Sequence, residues 1–226
     1  MWTEFFFKNI RTRMLGCMCA FTVLACTGFA CFLSSVKAVV YDESVYFLVR
    51  EDSSVAAGAE FVKWNGGAGY FLEDNGIQYV AYSVFWDKAD GELVQKRLEE
   101  VGQKSLLLNK GNKVLYFKGD KKKMSDLYVG ALKLFKSYIS LLEDCIGRLE
   151  NGMTQEACKR ILGIIERQFR YAKEKYIDYK SFSNVCGQSE DALTQLCAQT
   201  VYLKDLRFLL CWQSEKYIQL CNSFAL

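Results

Sequence analysis

Two apolar stretches of this chain carry tyrosine, leucine, arginine and small side chains at every second position. The six residues are Tyr46, Leu48, Arg50, Tyr79, Ala81 and Ser83. Successive side chains of a β-strand point to opposite faces of a sheet, so two strands of one sheet would bring all six to the same face. Tyrosine rings can stack on the apolar C–H faces of sugars, and arginine can donate hydrogen bonds to their hydroxyls. If that face is exposed, its chemistry suits a glycan chain.

Other chemistries find little support in the composition. The chain has no histidine, so catalytic triads, zinc sites and proton relays that depend on histidine are excluded. The acidic pairs 99–100 and 143–144 occupy adjacent helical positions, which point apart rather than across a cleft as in a glycosidase. We therefore predict no enzymatic activity, no metal site and no cofactor.

The net charge of +3 is small for 226 residues. Proteins that bind nucleic acid mainly through electrostatics usually carry a much larger positive charge or a basic stripe. We therefore predict no nucleic-acid partner.

The six residues belong to a regular series of predicted elements. Strands are predicted at 45–50, 69–73, 77–85 and 105–108, and helices at 53–64 and 88–101. Residues 74–76 predict a hairpin turn with positive φ between the second and third strands. The order β-α-β-β-α-β is that of the ferredoxin-like fold, an α+β arrangement in which two helices cover one face of a four-stranded antiparallel sheet. The residues expected to face these helices are Phe47, Val49, Val80, Tyr82 and Val84. The six residues above would then line the open face.

The second half of this series resembles a SPOR domain, the sporulation-related repeat of bacterial envelope proteins. The similarity rests on the strand at 77–85, the charged turn after it and the helix that ends at Gly102, and residues 45–64 are similar to the first half of the family pattern. The chain departs from that pattern at Leu48, Arg50 and Ser83. The resemblance implies a small sheet that binds peptidoglycan glycan strands, typically strands without stem peptides at division or sporulation septa.

An uncharged run at 14–36 precedes the predicted sheet domain. It lies between Arg13 and Lys37 and is long enough to cross about 30 Å of hydrocarbon as a helix. We predict a transmembrane anchor at 14–40. Because basic residues are concentrated before the run, we place the N-terminus, 1–13, in the cytoplasm and the rest of the chain outside the cell membrane. The alternatives are a lipoprotein signal cleaved before Cys26 and a buried helix of a soluble protein.

The region 120–226 has helical rather than strand-like periodicity. A short strand at 114–117 is expected to pair with 105–108, and three long helical patterns follow, the third with Ser189 as its N-cap. Long helices joined by short turns fold back on one another, so we predict an antiparallel three-helix bundle. Exposed aromatic residues of the bundle could bind an envelope protein, and the candidates are Phe169, Tyr171, Trp212 and Phe224. A role in stability and spacing, or in homodimerisation, is the other interpretation, because aromatic residues at helical spacing are usually part of a core.

The chain has ten cysteines. Four lie in the uncharged run, and the other six, all in the helical region, are Cys145, Cys158, Cys186, Cys197, Cys211 and Cys221. Cys145 and Cys158 flank the first turn between helices, which is compatible with a disulfide outside the membrane. Single cysteines on helix seams are also common as buried thiols, and the sequence leaves both interpretations open.

These observations predict a membrane-anchored, non-enzymatic envelope protein with a SPOR-like domain at 41–119 and a helical bundle at 120–226. Its expected ligand is peptidoglycan glycan, bound at the septum or during sporulation. One alternative is a protein-interaction module without glycan binding, which a sheet face hidden by the bundle would favour. A second is an RNA-recognition-type domain, which shares the element order.

Overall fold

The structure is a computed structural model that describes residues 37–40, 44–51, 55–110, 114–117 and 121–224. The predicted cytoplasmic N-terminus and the uncharged run at 14–36 lie outside these residues. None of the helices within the described ranges combines the length and the hydrophobicity that a bilayer crossing requires.

Six strands and six helices are described, and we number each kind in chain order. The strands are β1 (Lys37–Val40), β2 (Val45–Glu51), β3 (Tyr70–Asp74), β4 (Ile77–Phe85), β5 (Leu106–Lys110) and β6 (Val114–Phe117). The helices are α1 (Val55–Trp64), α2 (Lys88–Glu100), α3 (Lys121–Glu150), α4 (Gln155–Lys175), α5 (Lys180–Ala198) and α6 (Leu203–Phe224).

The four strands β2 to β5 form one antiparallel sheet in the order β3-β4-β2-β5. Each β-α-β unit therefore encloses a strand from the other unit, as the sequence of elements predicts. The α+β class and the four-stranded antiparallel sheet are confirmed. The predicted turn between β3 and β4 is also present, because Asn75 and Gly76 both have positive φ angles, 52° and 79°, as a two-residue type I′ hairpin requires.

The extra hairpin predicted between residues 105–108 and 114–117 is wrong. Strand β6 pairs with β1, from Lys37 opposite Phe117 to Val40 opposite Val114. β1 and β6 form a two-stranded sheet that is separate from the four-stranded one, and β5 pairs with β2 instead. The last four residues of the predicted anchor at 14–40 consequently form a strand.

The helical region contains four described helices, α3 to α6, rather than the predicted three. The third predicted helix is interrupted after α5, where Gln199 adopts an extended conformation with ψ of −179°. Its predicted N-cap, Ser189, lies in the middle of α5, is fully buried and donates a hydrogen bond to the Val185 carbonyl at 2.9 Å. No glycine or proline marks the break at 199–202, so the sequence gives no local signal for it.

The four-stranded sheet lies between two layers of helices. Helices α1 and α2 cover one face, which we call the outer face, and α6 covers the opposite face, which we call the inner face. The outer face contributes Leu48, Val80 and Tyr82 to a small apolar cluster with α1. The inner face belongs to the same apolar core as the bundle, so the sheet and the bundle are not separate packing units.

Candidate functional site

A β-bulge in β4 determines which side chains share a face of the sheet. Leu48 lies opposite Ser83, but its neighbour Val49 lies opposite Ala81, so Tyr82 is an extra residue between these two pairs of the β2–β4 ladder. An extra residue reverses the alternation of side chains beyond it. A strict two-residue alternation therefore assigns side chains to the correct face of the sheet on one side of the bulge only.

The six predicted site residues are consequently divided between the two faces. Tyr79 and Ala81 pack in the inner core with the bundle, and Leu48 packs in the outer cluster. Arg50 points to α1, where its guanidinium lies 4.5 Å from the centre of the Phe61 ring. Tyr46 and Ser83 are half-buried and pair with residues on the outer side. Their assignment to one exposed face is wrong.

The expected orientation of the other strand residues is wrong in part for the same reason. Val80 and Tyr82 face α1 and α2, as predicted. Phe47, Val49 and Val84 instead belong to the inner core. Strand β2 is apolar on both sides, so its sequence contains no polar alternation from which the register could be read.

Helix α6 closes the inner face through polar as well as apolar contacts. The Tyr70 hydroxyl donates a hydrogen bond to the Glu215 carboxylate, and burial together with this carboxylate raises the pKa of Tyr70. The Tyr70 ring packs edge-on against Phe208, with 5.2 Å between ring centres. Arg207 donates to the Gly66 carbonyl and also to a carboxylate oxygen of α3. Only 8% of Tyr79 remains exposed, so a glycan chain has no access to this face.

An accessible groove lies on the outer side of the sheet. It has a volume of about 540 Å³, and we call it the outer groove. Its lining residues are Arg50, Phe61, Gly102, Gln103, Lys104, Ser105 and Leu106. They come from the end of β2, from α1 and from the connection between α2 and β5.

The lining of the outer groove combines positive charge, an aromatic ring and hydrogen-bonding groups. Two of its side chains are basic and none is acidic. The Gln103 amide nitrogen donates to Asn65 at 3.0 Å, while the Gln103 Oε1 and Ser105 Oγ atoms receive and donate no hydrogen bond among the described residues. Polar atoms of this kind can bind a ligand at little additional cost, because they are already removed from water.

Exposed apolar side chains also lie close in sequence to the residues that line the groove. Trp64 lies one helical turn after Phe61 and is 87% exposed, and Val101 at the end of α2 is also exposed. Neighbouring exposed apolar side chains are characteristic of interaction sites. This site was not predicted from the sequence; the signal that could have identified it is the spacing of Phe61 and Trp64, two aromatic residues three positions apart on one helix.

The aromatic residues proposed for partner binding by the bundle differ in accessibility. Phe169 is fully buried and packs against Phe135 and Tyr138, which excludes it from a docking surface. Tyr171 is exposed, whereas Trp212 is half-buried and lines a cavity of about 330 Å³ between α5 and α6. The side chain of Phe224 lies outside the described part of the structure.

None of the six cysteines of the bundle is joined in a disulfide within the described part of the chain. The predicted neighbours Cys145 and Cys158 are both fully buried, and their sulfur atoms are 3.7 Å apart. Burial raises the pKa of Cys145 to about 12, which disfavours the reactive thiolate. Among the described residues, no group of three or more acidic or cysteine side chains is placed to hold a metal ion.

The chain matches no protein-family model, no curated protein and no solved structure. The resemblance to SPOR domains therefore rests on the residues and the element order described above.

Proposed function

We propose that this chain is a non-enzymatic, membrane-anchored interaction module of the cell envelope, in which the sheet serves as internal structure. The observation that carries this proposal is the burial of the inner face under α6. A SPOR-like sheet would use this face for glycan, but here its residues stabilise the contact with the bundle. Recognition then falls to the outer surface of the domain.

Membrane attachment remains part of the proposal through the uncharged run at 14–36. We place 1–13 in the cytoplasm and the sheet and bundle outside, as the distribution of basic residues favours. A reporter fused after Leu226 should be active outside the membrane and inactive in the cytoplasm. The opposite result would place the folded region in the cytoplasm and revive an RNA-recognition role.

Two measurements on the full chain separate protein binding from glycan binding. The detergent-solubilised chain should not sediment with cell-wall sacculi, either before or after an amidase removes the stem peptides. A lysine-reactive cross-linker applied to intact membranes should join the chain to a second protein. Sedimentation that increases on amidase-treated sacculi would contradict the proposal and restore glycan as the ligand, and a chain that forms no adduct would contradict the interaction role.

A further inference from the structure

We infer that the cleft between α2 and the bundle binds a basic segment of a partner protein, and that a lysine or arginine of that segment places its charge between Asp90 and Glu143. This inference rests on the proposed interaction function and names the chemistry of the partner.

The cleft lies where the four-stranded sheet becomes narrower, and we call it the α2–bundle cleft. Strand β3 pairs with β4 only between Ile77 and Ala81, so residues 83–85 of β4 are paired, among the described strands, with β2 alone. These residues, α2 and the bundle helices α3 and α6 line a space of about 390 Å³. A volume of this size is typical of protein binding pockets.

Two carboxylates in this cleft lack a positively charged partner within the described part of the chain. Asp90 lies in the first turn of α2, Glu143 lies on α3, and both line the cleft. Neither carboxylate forms an ion pair or a hydrogen bond with another described residue. Arg207 is the one basic side chain among the described lining residues, and it already binds the Glu150 carboxylate. The charges of Asp90 and Glu143 are therefore available to a ligand.

The position of these two carboxylates favours a cation between them. Burial and, to a lesser extent, the Asp90 carboxylate raise the pKa of Glu143, so the charge of one group opposes the ionisation of the other. A positive group between them would be attracted by both. A metal ion would require further oxygen ligands, and the described residues contain no group of three side chains that could supply them. An ammonium or guanidinium group needs no such set of ligands.

The apolar lining of the cleft selects a long basic side chain. Leu93, Val94 and Leu98 of α2 line it together with Ile146 of α3 and Leu210 of α6. Lysine and arginine bury their methylene groups along apolar surface while the charged end reaches a polar group. An apolar residue next to the basic one would cover the part of this lining that is open to solvent. A segment with both residue types therefore complements the cleft in shape and in charge.

The test places a photoreactive benzoylphenylalanine at single positions of the full chain in the membranes of cells that naturally produce it. Leu93 is the cleft position, because it is 52% exposed and lines the cleft. Tyr171, which is exposed on α4, is the position on the bundle for comparison. Illumination should join position 93 to a discrete protein. Mass spectrometry of that adduct should identify a segment with Lys or Arg next to an apolar residue.

Neutralisation then tests the role of the two carboxylates. The double variant Asp90→Asn/Glu143→Gln should lower the adduct yield at position 93 at least about tenfold, because the partner's charge loses both attractive contacts. The amides keep the shape of the cleft, so urea denaturation should show an unchanged stability. The matched control, Glu100→Gln/Asp191→Asn, removes the same charge at exposed positions and should leave the yield unchanged. Asp90→Glu retains the charge and should retain the yield.

The outcomes distinguish this inference from the proposed function. An adduct at position 171 but not at 93 overturns the cleft assignment and leaves an interaction module that uses the bundle. A cleft adduct that a wall-cleaving amidase releases overturns the protein occupant, and a cross-linked segment without Lys or Arg overturns its basic character. Equal yields in the two neutralised variants overturn the role of Asp90 and Glu143. An absence of adducts at both positions overturns the cleft assignment, and the interaction role also falls if the lysine-reactive reagent forms no adduct.

A synthetic copy of the cross-linked segment tests the charge contact itself. Binding to the full chain should weaken at least about tenfold when the basic residue is replaced by an uncharged counterpart, acetyl-lysine for lysine or citrulline for arginine. The same replacement should cause little further loss in the Asp90→Asn/Glu143→Gln variant, because the two changes remove one contact. Equal losses in the unmodified chain and in the variant would overturn the placement of the charge between these carboxylates.

Discussion

Both faces of the sheet are covered by helices, but the two coverings differ in size. On the outer face, two short helices cover a small apolar cluster and leave a groove beside α1. On the inner face, α6 joins the sheet to the core of the whole bundle. A domain of about 60 residues buries too little apolar surface to be more than marginally stable by itself. The face that is open in an isolated β-α-β-β-α-β domain is therefore used here for stability.

The largest effect should come from placing a charge on either face of β4. Ala81→Glu would bury an unpaired carboxylate against the bundle, and Val80→Asp would do the same beneath α1. Each should lower the free energy of unfolding by at least ~3 kcal/mol, measured by urea denaturation. Phe71→Glu on β3, at a position that is half exposed, should change it far less. An Ala81→Glu protein as stable as the unmodified chain would mean that the inner face is open.

The next effect concerns the cooperativity between the sheet and the bundle. Refolding with glutathione disulfide should join Cys145 to Cys158, because their sulfur atoms already lie 3.7 Å apart. The two thiols lose two protons and two electrons, and glutathione disulfide is reduced to two molecules of glutathione. A disulfide that closes a loop of this length should stabilise the fold by about 3 kcal/mol.

Hydrogen exchange should then slow equally in β4 and in α4, because one core joins them. Slower exchange in α4 alone would show that the two regions unfold separately. The Cys186→Ser variant, which lacks a buried thiol elsewhere in the bundle, should still form the disulfide, and loss of the disulfide in that variant would indicate a different pairing.

A smaller effect should follow removal of the polar contact across the inner face. Tyr70→Phe deletes the hydroxyl that donates to Glu215 and leaves a carboxylate oxygen without that partner. We expect a loss of about 1–2 kcal/mol in the free energy of unfolding. Tyr202→Phe, at an exposed ring, is the control and should have no measurable effect. Equal stabilities of the two variants would show that the contact contributes nothing to the docking of α6.

The smallest effect should come from removing an ion-pair network on the surface of the bundle. Arg170 and Lys173 bind the Glu190 carboxylate at 2.7 and 3.1 Å, and chiefly the Arg170 hydrogen bond lowers the pKa of Glu190 below its ordinary value of 4.5. The group is therefore charged in the folded state at pH values where it is protonated in the unfolded chain.

This contribution to stability is complete above pH 4.5 and is lost as the pH falls through the lower pKa of the folded state. Glu190→Gln should flatten that part of the profile of unfolding free energy against pH. Because the basic partners are largely exposed to solvent, the change should be modest. If the variant shows the same dependence of unfolding free energy on pH as the unmodified chain, the network does not contribute to stability.

Several features of this molecule followed from local sequence. The order of strands and helices at 45–110, the Asn75–Gly76 turn and the helical character of the last hundred residues were all predicted, because each depends on a short pattern of apolar spacing or on a residue that accepts positive φ. The break between α5 and α6 was missed because tertiary packing, rather than glycine or proline, ends the helix there.

The orientation of side chains depended on contacts between distant parts of the chain. The β-bulge at Tyr82 and the burial of β2 on both of its faces cannot be recognised from the sequence of one strand. As a result, four of the six predicted site residues lie on the outer side rather than on the predicted face. The outer groove also combines residues from three separate segments. Local patterns determined the elements, because backbone preferences act over a few residues; tertiary structure alone decided which face remained accessible, because burial depends on what packs against it.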